Sequence, residues 1–328
     1  DLNEAASRFA ADCAALAGAD ERIGLAVSGG PDSLGMLVLA ARAFPQRVEA
    51  ATVDHRLRPE SADEAAMVAR VCRELGVPHA ILPVTLPKGG NMQSRARHER
   101  YLALGGWARE RGLPVVATAH HIEDQAETLL MRLNRGSGLK GLAAMRTRRA
   151  MPMAADIMLI RPLLGWHRGE LAALCAAAGL EPACDPSNED PKYDRARFRA
   201  AMAKAEWLDA EGLARSARHL RDAFDALEAM VDEELRDSVT FLPGDEAAIY
   251  APSSRETGVR GLRFRVIERL IGELGRAQTG PRGAEIERLL TTLESGGTAT
   301  LAGLRCAAKQ GHGGPEWLFT PEPPRKTG

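Results

Sequence analysis

IGLAVSGGPDSLGMLVLA, residues 23 to 40, runs from a five-residue apolar segment through Ser28-Gly29-Gly30-Pro31-Asp32-Ser33 into a second apolar segment. A short β-prone run, a glycine pair and a proline at the head of a helical pattern predict a strand, a tight loop and a helix. In an open α/β sheet such a junction gathers backbone N–H groups at the positive end of a helix, which suits an anion. The loop fits neither G-x-x-x-x-G-K-S/T nor G-x-G-x-x-G, and it holds no lysine. An acid among phosphates makes electrostatic sense with a divalent cation between them, so Asp32 points to Mg²⁺ on a nucleotide. A plain strand-to-helix turn with an acid near the helix start is the alternative reading of the same six residues.

The pattern around this junction repeats. Strand-like runs at 23–27, 48–53, 80–84 and 114–119 alternate with helical runs at 34–44, 62–75, 93–109 and 124–133, and a fifth strand and helix are expected at 158–161 and 167–178. Alternating strands and helices predict a doubly wound α/β domain with a parallel, Rossmann-like sheet over residues 1–206. After Trp207 the alternation stops. Leu220, Phe224, Leu227, Val231 and Leu235 recur at helical spacing and predict a long linking helix within 207–240. Residues 241–328 form a smaller, mostly helical C-terminal domain, with helices at 261–274 and 282–293 and a short β-like tail at 298–319.

Composition narrows the function classes. The 328 residues are 45% hydrophobic and 27% charged with a net charge of −1, enough for a sizeable core in more than one domain. Asp1, Glu4, Arg8, Asp12 and Asp20 interrupt the first twenty residues, and no apolar run is long enough to span a bilayer, so a cytoplasmic protein without membrane partners is expected. The five cysteines, Cys13, Cys72, Cys175, Cys184 and Cys306, are scattered and read as small buried apolar residues rather than a disulfide or zinc framework. Arg132, Arg135, Lys140, Arg146, Arg148 and Arg149 fall in a stretch without acids, and Arg195, Arg197, Arg199 and Lys204 form a second basic cluster. Such clusters suit a polyanionic partner or a solvated helix face.

Two further groups border the phosphate loop in the expected fold. Asp54-His55 closes the second strand, facing the nucleotide pocket or forming a solvated loop. His120, Asp124 and Glu127 stand at i, i+4 and i+7 and share one face if a helix begins close to His120. Two carboxylates and an imidazole there can ligate a metal, act as acid and base, or hold an ammonium group; an exposed helix start rich in acids is the plain alternative.

These residues carry a resemblance. SGGPDS resembles the phosphate loop of the N-type ATP pyrophosphatases (PP-loop enzymes), which cleave ATP between the α and β phosphates and leave AMP on a substrate oxygen. Val53 to Arg58, Ala119 to Leu130, Arg135 to Leu142, Arg161-Pro162-Leu163-Leu164, and Asp185-Pro186-Ser187-Asn188 with Tyr193 and Arg195 are similar, in order, to the tRNA(Ile)-lysidine synthetase family. The match is strong over the first two thirds of the chain. It implies ATP with Mg²⁺, free L-lysine, and a tRNA(Ile) with a CAU anticodon, whose wobble cytidine is adenylated on its C2 oxygen and then attacked at C2 by the lysine ε-amine.

On that resemblance Ser28, Gly29, Gly30, Pro31, Asp32, Ser33, Asp54, His55 and Arg97 bind the nucleotide, with Arg97 in the family-like run Arg97-x-x-Arg100-Tyr101. Asp32 and Asp124 hold the metal. His120, Asp124, Glu127 and Arg195 handle lysine, and Asp32, Asp124, Glu127 and Arg195 carry the chemistry. Arg132, Arg135, Lys140, Arg197 and Arg199 meet the tRNA, and the 241–328 domain is the expected place for further tRNA contact. Two departures stand out: Glu123 occupies the place of a family aspartate, and Ala196 that of an asparagine after the arginine, which leaves Arg197 or Arg199 as substitutes for Arg195. A base-thiolating relative would need catalytic cysteines, and a binding module would show no turnover. Trp107, Trp166, Trp207 and Phe198 read as core packing rather than stacking platforms. Monomer and homodimer are both open.

Overall fold

The computed structural model describes residues 1–56, 60–86, 92–183, 192, 194–244, 246–252, 260–275, 280–311 and 314–323. The chain divides into two compact units, Asp1–Arg221 and Asp222–Gly328.

The first unit contains α1 (Leu2–Ala14), β1 (Ile23–Ala26), α2 (Pro31–Ala43), β2 (Val48–Asp54), α3 (Glu60–Glu74), β3 (His79–Pro83), α4 (Met92–Arg111), β4 (Val115–Ala117) and α5 (Ile122–Asn134). It continues through α6 (Leu139–Leu142), β5 (Arg148–Met151), β6 (Ala154–Ile160), α7 (Arg168–Ala177), α8 (Asp194–Lys204) and the start of α9 (Ala210–Ser238). Its sheet runs in the order β3-β2-β1-β4-β6-β5, with Ile23 level with Val48 on one side and Val115 on the other. All neighbours are parallel except β5 and β6, which form an antiparallel edge hairpin. The expected fifth strand is thus β6, longer than anticipated. Its partner β5 was hidden in the basic tract, because Arg148 and Arg149 lie on an exposed edge and carry no apolar alternation.

Both sheet faces are covered, which explains the near-continuous apolar strands. Ile23, Leu25, Val48, Ala50, Val115, Ala117 and Ile160 pack with Leu34 and Leu37 of α2, Val68 of α3 and Leu171 of α7. Residues of opposite parity, Ala51, Val116, Ile157 and Leu159, pack with Tyr101, Leu104 and Trp107 of α4. Period-two alternation therefore sorts one chain into two cores.

The second unit holds β7 (Val239–Phe241), β8 (Ala248–Tyr250), α10 (Arg260–Leu274), α11 (Gly283–Glu294), β9 (Thr298–Leu301), β10 (Leu304–Gly311) and β11 (Gly314–Pro321). Both expected helices are present. The β content exceeds the expected tail: a five-stranded antiparallel sheet, β7-β8-β11-β10-β9, packs on them through Tyr250, Val266, Leu270, Leu290 and Trp317. β7 and β8 span three residues each, too few to show an alternation in sequence. Among the described residues, no helix is long and apolar enough to cross a membrane.

Candidate active site

Strand order reverses between β1 and β4, and the crevice beyond their carboxyl ends is where this kind of sheet takes ligands. The segments leaving these two strands, 27–33 and 118–121, carry the expected site.

The first is a tight turn closed by its own residues. Gly29 has φ +88°, and a Cβ there would stand 3.3 Å from the Met67 methyl, so only glycine fits. Ser33 Oγ accepts from the Ser28 N–H at 3.1 Å and donates to the Gly30 carbonyl at 3.0 Å, closing the loop on itself. Gly30 caps α2 without a side-chain bond and Pro31 opens the helix, which leaves first-turn N–H groups without intrahelical partners. Asp32 projects from this turn, and its Oδ1 is buried with no hydrogen-bond partner.

The second segment differs from expectation. α5 begins at Ile122, because the His121 N–H is capped by Asp124 Oδ2 at 3.1 Å and the Ile122 N–H is bound by the Trp166 carbonyl at 3.0 Å. His120 consequently lies before the helix, with Nδ1 2.9 Å from Thr118 Oγ1, and does not share a helix face with Asp124 and Glu127. Burial, helped by Arg161, Arg195 and Arg97 and opposed by Asp124, pushes its imidazole down to about 3, so it is neutral at ordinary pH. Asp124 and Glu127 do point inward together and are 8% and 2% exposed.

His121, to which the sequence reading assigned no role, is the hub. Its Nδ1 is 2.8 Å from Glu123 Oε2, and its Nε2 faces Asp32 Oδ2 and Asp124 Oδ2 at 3.5 Å each, ion-pair distances without a directed hydrogen bond. Burial works against its charge, but Asp32, Glu123 and Asp124 outweigh it and raise the imidazole to about 9. Glu123 also reaches His167 Nδ1 at 3.1 Å and the Arg168 N–H at 3.1 Å, and His167 Nε2 continues to Glu211 Oε1 at 2.8 Å. These contacts outweigh burial and hold the Glu123 carboxyl down at about 2. The departure from aspartate at 123 therefore fastens the start of α5 to the segment before α7. Arg168 in turn places Nε 4.0 Å from Asp32 Oδ1. The paired histidines at a strand end were the one sequence signal for this hub.

The arginines of α8 divide. Arg195 bonds Asp124 Oδ1 through Nη2 and lies 2.7 Å from Glu127 Oε2 through Nε, while Arg199 Nε is 2.7 Å from Glu127 Oε1. Burial disfavours the Glu127 carboxylate, yet the two guanidinium groups hold its pKa below the usual range. Ala196 is buried, so the missing asparagine is replaced by packing. Arg197 turns outward to Asp194, which Arg135 Nη2 also grips at 2.5 Å. It is Arg199, rather than Arg197, that joins Arg195 at the carboxylates.

Asp54 Oδ1 accepts from the Arg56 N–H at 2.9 Å and Ser61 Oγ at 2.8 Å, bracing a turn, whereas both ring nitrogens of His55 are buried without partners. Arg97 is exposed on α4, with Nη2 3.2 Å from the Tyr101 hydroxyl. Arg132 donates to the Gly141 carbonyl and shapes the loop after α5; Lys140 is exposed on α6. Leu57, Arg58, Cys184, Asp185 to Asn188 and Tyr193 lie outside the described residues. Cys13, Cys72 and Cys306 are buried with thiols pushed up to about 12, and Cys175 to about 11, which leaves them protonated and poorly suited to carrying sulfur. Trp107 and Trp166 are core residues as expected, but Trp207 is 83% exposed, in a turn beyond the reach of either sheet core.

Residues 3–206 match the PP-loop domain. The tRNA(Ile)-lysidine synthase of Novosphingobium aromaticivorans is 47% identical over 326 residues, covering 99% of this chain and 96% of that protein. The chain belongs to the tRNA(Ile)-lysidine synthase family. Its namesake in Zymomonas mobilis is 39% identical over 314 residues, 93% of this chain and 90% of that protein. Among solved structures, the U34-tRNA thiolase NcsA of Methanococcus maripaludis superposes with a TM-score of 0.54 over 67% of this chain and 78% of its own, at 19% identity, which is a likeness of fold.

Proposed function

We propose that this lysidine synthase family member ligates free lysine to C2 of the wobble cytidine, position 34, of CAU-anticodon tRNA(Ile), consuming ATP and releasing pyrophosphate and AMP. The observation that carries the reading is the pair Asp124 and Glu127, buried at the strand end beside the 28–33 loop in a chain related over its whole length to lysidine synthases.

Two displacements make up the reaction. The C2 oxygen of cytosine forms a bond to the α phosphorus of ATP as the bond to pyrophosphate breaks, and the pyrophosphate leaves with that electron pair. The lysine ε-amine then bonds to C2, the C2–O bond breaks, AMP leaves with its electrons, and the nitrogen gives up a proton. Adenylation is needed because the C2 oxygen alone is a poor leaving group.

The chain's groups divide along these steps. N–H groups of the 28–33 loop and the start of α2 bind the phosphates. The buried Asp32 Oδ1, which has no hydrogen-bond partner, fits a cation ligand, so Asp32 would hold Mg²⁺, which when bound neutralises charge on the pyrophosphate; Asp124 would join it only by exchanging the Arg195 and His121 contacts that occupy its two oxygens. Glu127, held ionised by Arg195 and Arg199, suits recognition of the incoming ammonium charge more than removal of its proton. Asp124 is the better proton acceptor by position, and neutral His120 lends a hydrogen-bonding edge without charge. Arg195 orients the carboxylates and meets the lysine carboxylate or a phosphate.

The test is ATP-dependent transfer of labelled lysine to an unmodified CAU-anticodon tRNA(Ile) transcript, comparing the wild type with Asp124→Asn. Labelling that the variant lacks is the expected result. Pyrophosphate exchange dependent on that tRNA, without lysine transfer, would keep the adenylation step and discard lysine as the nucleophile.

A further inference from the structure

Three of the four tryptophans, Trp107, Trp166 and Trp317, are 5%, 2% and 2% exposed, while Trp207 is 83% exposed. An indole is among the largest apolar surfaces a chain possesses and normally finds cover. The backbone presenting it is hydrogen-bonded on both sides of the ring. The Ala205 N–H bonds the Met202 carbonyl at 3.1 Å, the Leu208 N–H bonds the Ala205 carbonyl at 2.9 Å, and Asp209 caps α9 by accepting from the Glu211 and Gly212 N–H groups at 3.0 and 2.9 Å.

The charges around it are arranged for an anion. Arg197 and Lys204, seven residues apart, lie on one face of α8, and Trp207 follows Lys204 by three residues in a turn that continues the helical bonding. Both cations are exposed. Of the neighbouring acids, Asp194 is shared between Arg197 and Arg135, which leaves that cluster one positive charge in excess, Asp209 caps the positive start of α9 and Glu211 bonds His167; Glu206 is exposed beside the ring. A row of cations leading to an open aromatic face is the combination that holds a single-stranded backbone and stacks a base.

Distance matches this face to the reaction. α8 starts at the Arg195 that grips Asp124 and Glu127, and its 11 residues rise about 16 Å in all at about 1.5 Å each. Trp207 thus stands within roughly 20 Å of the carboxylates, a separation that about five or six stacked nucleotides cover at 3.4 Å each.

We propose that Trp207 is a stacking platform for an unpaired base of the substrate tRNA's anticodon loop, a few nucleotides from the cytidine that reacts, with Arg197 and Lys204 along the backbone leading to it. The identity of the RNA rests on the function proposed above; the stacking itself does not need turnover.

With the other indoles buried, acrylamide-quenchable tryptophan emission reports Trp207 alone. The full-length enzyme is titrated with an unmodified CAU-anticodon stem-loop RNA, without ATP or lysine, alongside Trp207→Ala and Trp207→Phe. The RNA is expected to quench the accessible emission of the wild type and shield it from acrylamide. Trp207→Ala should bind the stem-loop roughly 5- to 100-fold more weakly, the span of base–aromatic stacking, with Trp207→Phe recovering most of the loss. In turnover, the KM for tRNA should rise in Trp207→Ala while those for ATP and lysine hold. Unchanged emission at saturating RNA, or equal affinity of wild type and Trp207→Ala, overturns the proposal. Shielding that grows with protein concentration and needs no RNA also overturns it, assigning the ring to a contact between two copies. Failure of lysine transfer with RNA-dependent quenching intact would count against the lysidine reaction and leave the stacking site standing.

Discussion

Arg195 Nε lies 2.7 Å from Glu127 Oε2, although 68 residues separate the two in the chain. The pair brings α8 against α5 and puts a guanidinium between two buried carboxylates that would otherwise repel one another. Glu127 stays ionised in spite of its burial because Arg195 and Arg199 supply opposite charge within hydrogen-bonding distance, and Arg195 bonds Asp124 as well.

Arg195→Ala should therefore act on catalysis more than on stability. Glu127 keeps Arg199 and the Arg195 side chain is 44% exposed, so the stability loss is about 1 kcal/mol. Lysine transfer should fall on the order of 100-fold, the scale of a lost oriented charge. Thermal unfolding beside labelled-lysine kinetics separates the two, and a loss of activity matched by collapse of the fold would contradict this assignment.

Asp32 should show the same balance. Its Oδ1 lacks a hydrogen bond, which costs stability, while its Oδ2 faces the charged His121, so the two effects oppose and Asp32→Asn is expected to stay within about 1 kcal/mol of the wild type in thermal unfolding. Its tRNA-dependent pyrophosphate exchange should drop at least roughly 100-fold. An active variant would remove Asp32 from the nucleotide site.

Glu123 fastens His121 and His167 through separate oxygens, and only a carboxylate can accept from both imidazoles and from the Arg168 N–H. Glu123→Gln should lower kcat by roughly 10- to 100-fold with little change in the KM for ATP, the range typical of outer groups that orient a reactive site. Glu123→Asp keeps the charge but is one methylene shorter, so partial recovery is expected. Equal kcat losses in both variants would reduce the residue to a packing role.

His120 makes stability depend on pH. Burial holds its imidazole at about 3 in the folded chain, against roughly 6.5 in the unfolded one. Between these values the unfolded state binds the extra proton, so the stability from a neutral His120 is complete above about pH 6.5 and is lost as pH falls toward 3. The slope approaches about 1.4 kcal/mol per pH unit for this group alone. Urea unfolding at about pH 7.5 and 5.5 should show a smaller drop for His120→Gln than for the wild type by about 1 kcal/mol, and equal drops would place the imidazole in water.

The sequence by itself determined the sheet and the loop. The apolar runs that became β1, β2, β4 and β6 are short and two-sided, so their burial between helices follows from composition, and the 28–33 turn is dictated locally by Gly29 and Pro31. Asp32, Asp124 and Arg195 fall in the first turns of α2, α5 and α8, and Glu127 follows Asp124 by three residues on the same helix, so local pattern sufficed to place them. Only the tertiary structure decided which groups meet. Glu123 finds His167 44 residues later, Arg199 rather than Arg197 reaches Glu127, and Trp207 is left outside the cores of its unit. Those outcomes depend on helix phase and on where α5 and α8 start, a difference of one or two residues that rotates a side chain by 100° or more and that no local pattern encodes.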